Sequence, residues 1–342
     1  MRGLPSADLV RGLSWRPLDE NRDAAADLLR AAEREARRAG RNVEAESLTS
    51  HRNDIREGKA PGGVLRDPSG RVWAVAVWTS IGNLGRRVSP VYLAKELQNP
   101  AGWTRFLTAL LDSPDPSGRV LLFQASTPGL SEPEAVILLG PRGFHPFHRF
   151  GLAFPAGSPL PAAPSRSLEG GRLRALSPAD LDSLALLNSA CYANSIERFI
   201  FATAEDPLEA GRQVFRSLFE GRYGRFLSEA SFGLELDGTL RGTTFVTRRP
   251  THKLLADVEV HPSVQGQGHA RRLIRATLEA VSLDPTVPLV LAVTQENGVA
   301  FQLYRKLGFV VQEGPFTFWA NPTALGLSPT SSSSGDTGPR AH

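Results

Sequence analysis

The stretch of this 342-residue chain with the most chemical meaning is Gln265-Gly266-Gln267-Gly268-His269-Ala270. It follows a strand-like run, Leu254 to Val260, closed by Pro262, which has no N–H to give a ladder. It precedes a helical pattern reaching about Val281, in which Leu273, Thr277 and Val281 recur four apart beside Ile274 and Leu278. Arg271, Arg272, Arg275 and Glu279 fall largely outside this inward stripe. A strand, a glycine turn and a helix start suit an anionic phosphate. The first amides of a helix have no partner within it, and the helix dipole adds positive charge there. Gly266 and Gly268 let the backbone curl around an oxyanion, and Ala270 keeps the helix entry narrow. No Gly-x-x-x-x-Gly-Lys-Ser/Thr run exists, and Arg271 occupies the third glycine position of a dinucleotide fingerprint. By itself the hexapeptide fits either a phosphate loop or a tight strand-to-helix turn.

A second pattern lies about 30 residues on, directly after the strand-like Leu289 to Thr294. It is Asn297-Gly298-Val299-Ala300-Phe301-Gln302-Leu303-Tyr304-Arg305-Lys306-Leu307-Gly308-Phe309. Gln-x-x-Gly-x-Ala after Val-x-Val-His-Pro, then Asn-x-x-Ala-x-x-Leu-Tyr-x-x-x-Gly-Phe, resembles the paired signatures of the GNAT superfamily of N-acetyltransferases. The resemblance covers roughly Arg172 to Ala320. It implies an acetyl-CoA co-substrate and no metal. It also implies two adjacent parallel strands, Ala256–Val260 and Leu289–Thr294, splayed so that the pantetheine arm passes between them. Backbone groups around Val258 and Val260 would bond that arm. Gln265, Gly266, Gln267, Gly268, His269, Ala270 and Arg271 would hold the pyrophosphate, and Asn297 would contact the cofactor near the start of the next helix.

Direct transfer of an acetyl group to an amine needs a neutral amine, a donor to the carbonyl oxygen and an acid for the leaving sulfur. A phenol, with a pKa near ~10, matches a thiolate in basicity. The resemblance makes Tyr304 that acid. For the base, Asp257 and Glu259 share one face of their strand; Glu259 is the better candidate, being nearer the splay, although either could equally be a solvated or arginine-paired group. His261, in the His-Pro pair, and His269, inside the loop, read as structural. Cys191 has no evident histidine partner and reads as a small buried residue rather than a nucleophile.

The acceptor should meet the stretch from Ala190 to Gly224, the least family-like part of this half. There Glu197, Glu205, Asp206 and Glu209 could hold a cationic amine, and Phe199, Phe201 and Tyr223 could pack against it. A helix pair with a solvated acidic face is the competing reading. A small-molecule amine is the expected acceptor. A protein or peptide amino group, and a non-catalytic acetyl-CoA-binding regulator, are the alternatives.

These residues must be held by something, and the chain offers two units. Its length is about twice that of an ordinary domain. Apolar residues at 41% and charged residues at 22% allow each half its own core. Each half opens with a strand running into an amphipathic helix: Leu13–Arg16 before Asp23–Ala32, and Leu173–Leu176 before Ala179–Ala190. Each then has a strand after a turn (Val72–Trp78, Leu240–Val246) and a later buried strand (Val120–Gln124, Leu289–Thr294). Each closes on Gly-Phe, at Gly143-Phe144 and Gly308-Phe309. The expected fold class is α/β, with two tandem GNAT-fold domains, each a central mixed sheet flanked by helices. The domains span 10–152 and 172–322, joined by a linker over 153–171 within the Pro/Gly-rich run Gly151–Gly171 and followed by a disordered tail over 325–342.

The first unit looks degenerate. Aligning Arg105 with Arg272 puts Gln98–Trp103 opposite the loop, with Asn99 and Ala101 at the glycine positions, Pro100 removing an amide and Trp103 opposite Ala270. Leu139 falls opposite Tyr304, and Glu132 opposite Asn297. The unit is expected to bind no acetyl-CoA and to support the working half or shape its acceptor cleft.

A dispersed net charge of +4 argues against a nucleic-acid partner. One cysteine, Cys191, excludes an intrachain disulfide and a cysteine metal site. No apolar run approaches the ~20 residues of a membrane span, and the first 25 residues carry no secretory pattern. A cytoplasmic protein is expected, of unspecified oligomeric state.

Overall fold

The computed structural model describes residues 12–39, 42–59, 61–81, 85–113, 120–124, 130–162, 171–195, 197–200 and 204–321. The expected disordered tail and most of the linker lie outside them. In the first half come β1 (Ser14–Pro17), α1 (Arg22–Arg38), α2 (Asn42–Arg56), β2 (Gly62–Arg66), β3 (Val72–Ile81), β4 (Gly85–Leu93), α3 (Pro100–Leu111), β5 (Val120–Gln124), α4 (Glu132–Leu139) and β6 (His145–Phe154). The second half supplies β7 (Arg172–Ala175), α5 (Leu181–Tyr192), the short α6 (Glu197–Ile200), α7 (Pro207–Phe219), β8 (Arg225–Phe226), β9 (Phe232–Leu236), β10 (Thr239–Arg248) and β11 (Lys253–Val260). It ends with α8 (His269–Ser282), β12 (Leu289–Thr294), α9 (Gly298–Lys306) and β13 (Val310–Ala320).

Local chemistry explains several boundaries. Asp237 and Gly238 both have positive φ (48° and 72°), the backbone a two-residue hairpin between β9 and β10 requires. Ser177 and Asp180 cap each other reciprocally at the entry to α5. In α8 the stripe Leu273, Ile274, Thr277, Leu278 and Val281 is buried as the spacing predicts.

The mixed sheet is present, but the halves do not close separately. The strands run β1-β2-β3-β4-β5-β13-β6-β12-β11-β10-β9-β7, with β8 beside β10. Only β4–β5 and β11–β12 are parallel among the described pairs. The closing strands have changed places. β6, from the first half, lies antiparallel to β12, from Leu289↔Phe154 to Thr294↔Arg149. β13, from the second half, lies against β5, from Phe318↔Gln124 to Ala320↔Leu122.

The cores follow the exchange. Trp319 of β13 is buried in the first half's core with Trp103, Phe106 and Leu110. Leu152 and Phe154 of β6 belong to the second half's core, where Phe154 meets Phe309 with ring centroids 5.6 Å apart. The apolar pattern of β6 or β13 says that the strand is buried, not which half buries it. The exchange also extends β6 into the Pro/Gly-rich run, so residues 151–154 are strand rather than connector.

Candidate active site

The site opens where β11 and β12 part. Their pairing is confined to Lys253↔Leu289 and Leu254↔Val290, after which β12 continues against β6 alone. On its other edge β11 stays bonded to β10, where His261 N–H donates to the Arg241 carbonyl at 2.8 Å. Backbone direction alternates along a strand, so the main-chain groups of Val258 and Val260 turn into the gap. The Val260 carbonyl there accepts from Gln265 Nε2 at 2.9 Å.

The strict alternation expected along β11 is broken by a bulge. The register against β10 shifts between Phe245 and Val246, leaving Ala256 unpaired between Leu255 and Asp257. Leu255 and Val258 then pack toward the core under α8, whereas Ala256 packs toward α5 and α7. Such an extra residue re-aims the side chains beyond it. Asp257 and Glu259 are thereby presented to α5.

The hexapeptide loop fits a pyrophosphate. Gly266 and Gly268 have positive φ, 76° and 86°, and Gly268 is the left-handed N-cap of α8. A Cβ on Gly266 would meet nothing within 4 Å, so the concave side of the turn is open. Among the described residues nothing accepts a hydrogen bond from the backbone amides of Gly266 through Arg271. These are unsatisfied donors at a helix N-terminus, as an anion requires. Arg271 and Arg275 instead reach the carbonyls of Ala162 and Pro161, and Arg272 that of Gly171. The arginines thus tie the connector to α8 and leave the amides as the loop's donors. His269 is buried with neither ring nitrogen bonded, and burial lowers its pKa. His261 accepts from Ser263 N at 3.2 Å, capping the turn after β11.

A cavity of about 130 Å³ lies at the splay. Its walls include Asp257 and Val258 of β11, Asn188 and Tyr192 of α5, Glu197 of α6, Tyr304 of α9, Asn297, and Arg149 of the exchanged β6. Tyr192 Oη donates to Asp257 Oδ1 at 3.2 Å, and Asn188 Nδ2 to Glu259 Oε1 at 2.5 Å. Asp257 Oδ2 and Glu259 Oε2 are both buried without a donor. The two carboxyls are neighbours that interact through their side chains.

Burial first, then the Asp257 charge, pushes the Glu259 carboxyl well above its ordinary range. Of the two carboxyls, Glu259 is therefore the one that holds a proton more tightly. Asp257, also raised mainly by burial, titrates at about 6. Glu259 does not line the cavity; it stands behind Asp257, 2% exposed.

Tyr304 is buried, its ring 5.6 Å from that of Phe309. Burial, then the charges of Asp257 and Glu197, push its pKa above the usual phenol value. Its hydroxyl has no partner among the described residues. Asn297 Oδ1 accepts from Ala300 N at 3.3 Å and caps α9. Cys191 Sγ donates to the Val260 carbonyl at 3.4 Å, and burial beside Glu259 and Asp257 pushes its thiol far up.

The acidic stretch of the second half divides. Glu197 lines the cavity. Asp206 caps α7, accepting from Leu208 N, and Glu209 accepts from Gln213. Tyr223 is exposed at 37%. Phe201 and the Phe199 side chain lie outside the described residues. Sequence reasoning did not reach Asn188, Tyr192 or Arg149. Amphipathic spacing could have placed the first two on the inner face of α5. Nothing local marks Arg149, which arrives from the other half. At the corresponding point of the first half, Asn99 Oδ1 accepts from Gly102 N at 3.0 Å and Trp103 is packed in the core, so that helix start is already capped.

Residues 197–309 match the model of the acetyltransferase (GNAT) family. Acetyl transfer from acetyl-CoA is the activity of that family in general. Solved structures with a similar fold include a GCN5-related N-acetyltransferase from Sphaerobacter thermophilus, at 16% identity over 76% of this chain and 78% of that one, TM-score 0.49. A tandem GNAT protein from the clavulanic acid biosynthesis pathway matches at 18% identity over 90% and 97%, TM-score 0.48. The PaiA N-acetyltransferase from Thermoplasma acidophilum, solved with coenzyme A, matches at 19% identity over 44% and 98%, TM-score 0.35. At these scores the neighbours add nothing to the family match. No curated protein matches the chain. No described helix is long and apolar enough to cross a membrane.

Proposed function

We propose that the chain is an N-acetyltransferase that moves an acetyl group from acetyl-CoA directly to the amine of a small molecule, with its chemistry in the second half. The observation that carries this reading is the meeting, in one cavity, of an ionisable carboxylate, a protonated phenol and the mouth of an amide-lined splay. The residues present suit the cofactor: open amides from Gly266 to Arg271 for pyrophosphate, main-chain groups of Val258 and Val260 for the pantetheine arm, and Asn297 beside them. When bound, acetyl-CoA supplies the activated acetyl thioester.

Asp257 takes the proton from the incoming ammonium or amine. Its pKa near 6 makes it ionised at neutral pH and still basic enough to serve. Glu259, the stronger candidate from sequence, acts from behind by donating its retained proton to Asp257. Tyr192 holds the other oxygen of that carboxylate. Tyr304, kept protonated by burial, donates toward the leaving sulfur. Cys191 is held as a thiol, which favours direct transfer over an acetyl-cysteine route. We take 10–152 and 172–322 as the two units of a duplicated chain, the first without a cofactor site of its own, and a cytoplasmic setting.

A panel of small primary amines incubated with intact protein and acetyl-CoA, with free thiol detected, is expected to give turnover well above the protein-free rate for at least one amine. Thiol release that no amine stimulates would favour a regulator. Turnover only with peptide amines would move the acceptor to the protein or peptide class.

A further inference from the structure

Arg149 stands on a strand from the half that has no cofactor loop, yet its guanidinium belongs to the cavity of the other half. Pairing of β6 with β12 sets it opposite Thr294. Nη1 lies 3.3 Å from Glu197 Oε1 and 3.3 Å from Thr294 Oγ1, and Nη2 donates to the Ala292 carbonyl at 3.2 Å. Thr294 Oγ1 also donates to Glu197 Oε1, at 2.6 Å. The side chains of Arg149 and Glu197 are 11% and 14% exposed.

One oxygen of Glu197 is thus fully engaged. Among the described residues Oε2 meets no donor, and the carboxylate lines the cavity that Asp257 and Tyr304 share. Burying a carboxylate costs free energy unless it has a partner. Arg149 supplies that pairing and fixes the direction in which the unused oxygen points. The remaining groups around the cavity are the Asp257–Glu259 pair, Cys191, Tyr192 and Tyr304. Among the described residues none of these is a cation, and the one cation lining the cavity, Arg149, bonds to Oε1 of Glu197 and not to Oε2.

We propose that Glu197 Oε2 is the anchor for the cationic group of the amine acceptor, and that Arg149 is the positioning residue that holds it in place from the other half of the chain. The exchange of β6 then has a functional consequence: the acceptor pocket is complete only when both halves are folded together. This rests on the reading of the cavity as an acetyltransferase site.

Steady-state kinetics on the full chain, with the best amine from the panel, separate the possibilities. Glu197→Gln removes a charge-assisted contact worth about 1.5–3 kcal/mol, so the KM for the amine should rise roughly tenfold to a hundredfold. The kcat and the KM for acetyl-CoA should stay within about threefold. Arg149→Met should do the same, Arg149→Lys should restore part of the loss, and Arg149→Met with Glu197→Gln together should be no worse than either alone, because the residues act as one unit.

An unmoved amine KM in Glu197→Gln would overturn the proposal, as would effects of the two changes that multiply. A loss of acetyl-CoA affinity and of thermal midpoint in the arginine variants, with amine KM intact, would assign Arg149 a structural role alone. Should Arg149→Met fail to fold, Arg149→Lys and Glu197→Gln still decide. Absence of any turnover by the unaltered chain overturns the functional reading and this proposal together; turnover with an unmoved amine KM overturns this proposal alone.

Discussion

Tyr304→Phe is expected to lower kcat by roughly 10²–10⁴, the range of a general acid's contribution, with acetyl-CoA affinity preserved. The substitution removes one oxygen and leaves the ring. That ring packs against Phe309 within a core that includes Leu255, Ile274 and Leu307, and phenylalanine fills the same space. The hydroxyl bonds nothing among the described residues, so its loss leaves no buried partner unsatisfied and the thermal midpoint should hold. What changes is the donor facing the splay. Burial and the neighbouring carboxylates keep the phenol protonated through the neutral range, so it can hydrogen-bond a sulfur as charge develops on it. An unchanged kcat would remove Tyr304 from the chemistry and leave it a core residue.

Asp257→Asn should cost a similar roughly 10²–10⁴ in kcat. It should also change the shape of the pH profile. In the unaltered enzyme the base must be ionised, so kcat/KM falls as pH drops through about 6. Without it, solvent must strip the amine, and the residual rate should climb steadily toward alkaline pH. Glu259→Gln separates the two carboxyls. A glutamine amide can still donate to Asp257, so turnover should stay within about tenfold if Glu259 only supports. The reverse result, in which Glu259→Gln abolishes turnover and Asp257→Asn does not, would return the base to Glu259.

The reach of the sequence was set by how local each feature is. The geometry of the loop was legible because everything it needs lies within a dozen residues: a strand end, two glycines able to take positive φ, and an amphipathic helix start. Both residues do take it, and the amides are open. The placement of Tyr304 on a helix capped by Asn297 was legible for the same reason. Asp257 and Glu259 could be placed on one face by alternation. Their order of depth could not, because it depends on the bulge at Ala256 and on which residue α5 covers. Arg149 lay beyond reach altogether. It is brought in by a strand pairing between residues some 145 apart in the chain, and no pattern within β6 says that β12 rather than β5 is its neighbour. Asp206 and Glu209 show the opposite case: acidity alone placed them with Glu197, but Asp206 serves as a helix cap and Glu209 pairs along its own helix.

All of this depends on the second half holding acetyl-CoA by its loop, and calorimetry tests that most directly. Titrating acetyl-CoA into the intact chain should give one site per chain. Gly268→Trp, which forces a bulky side chain onto a residue at φ 86°, should abolish it. Gly266→Asp, a residue type that tolerates positive φ and would set a carboxylate where the pyrophosphate goes, should do the same without disturbing the fold. Absence of binding by the unaltered protein, or one-site binding that survives both substitutions and so resides elsewhere, would contradict the account.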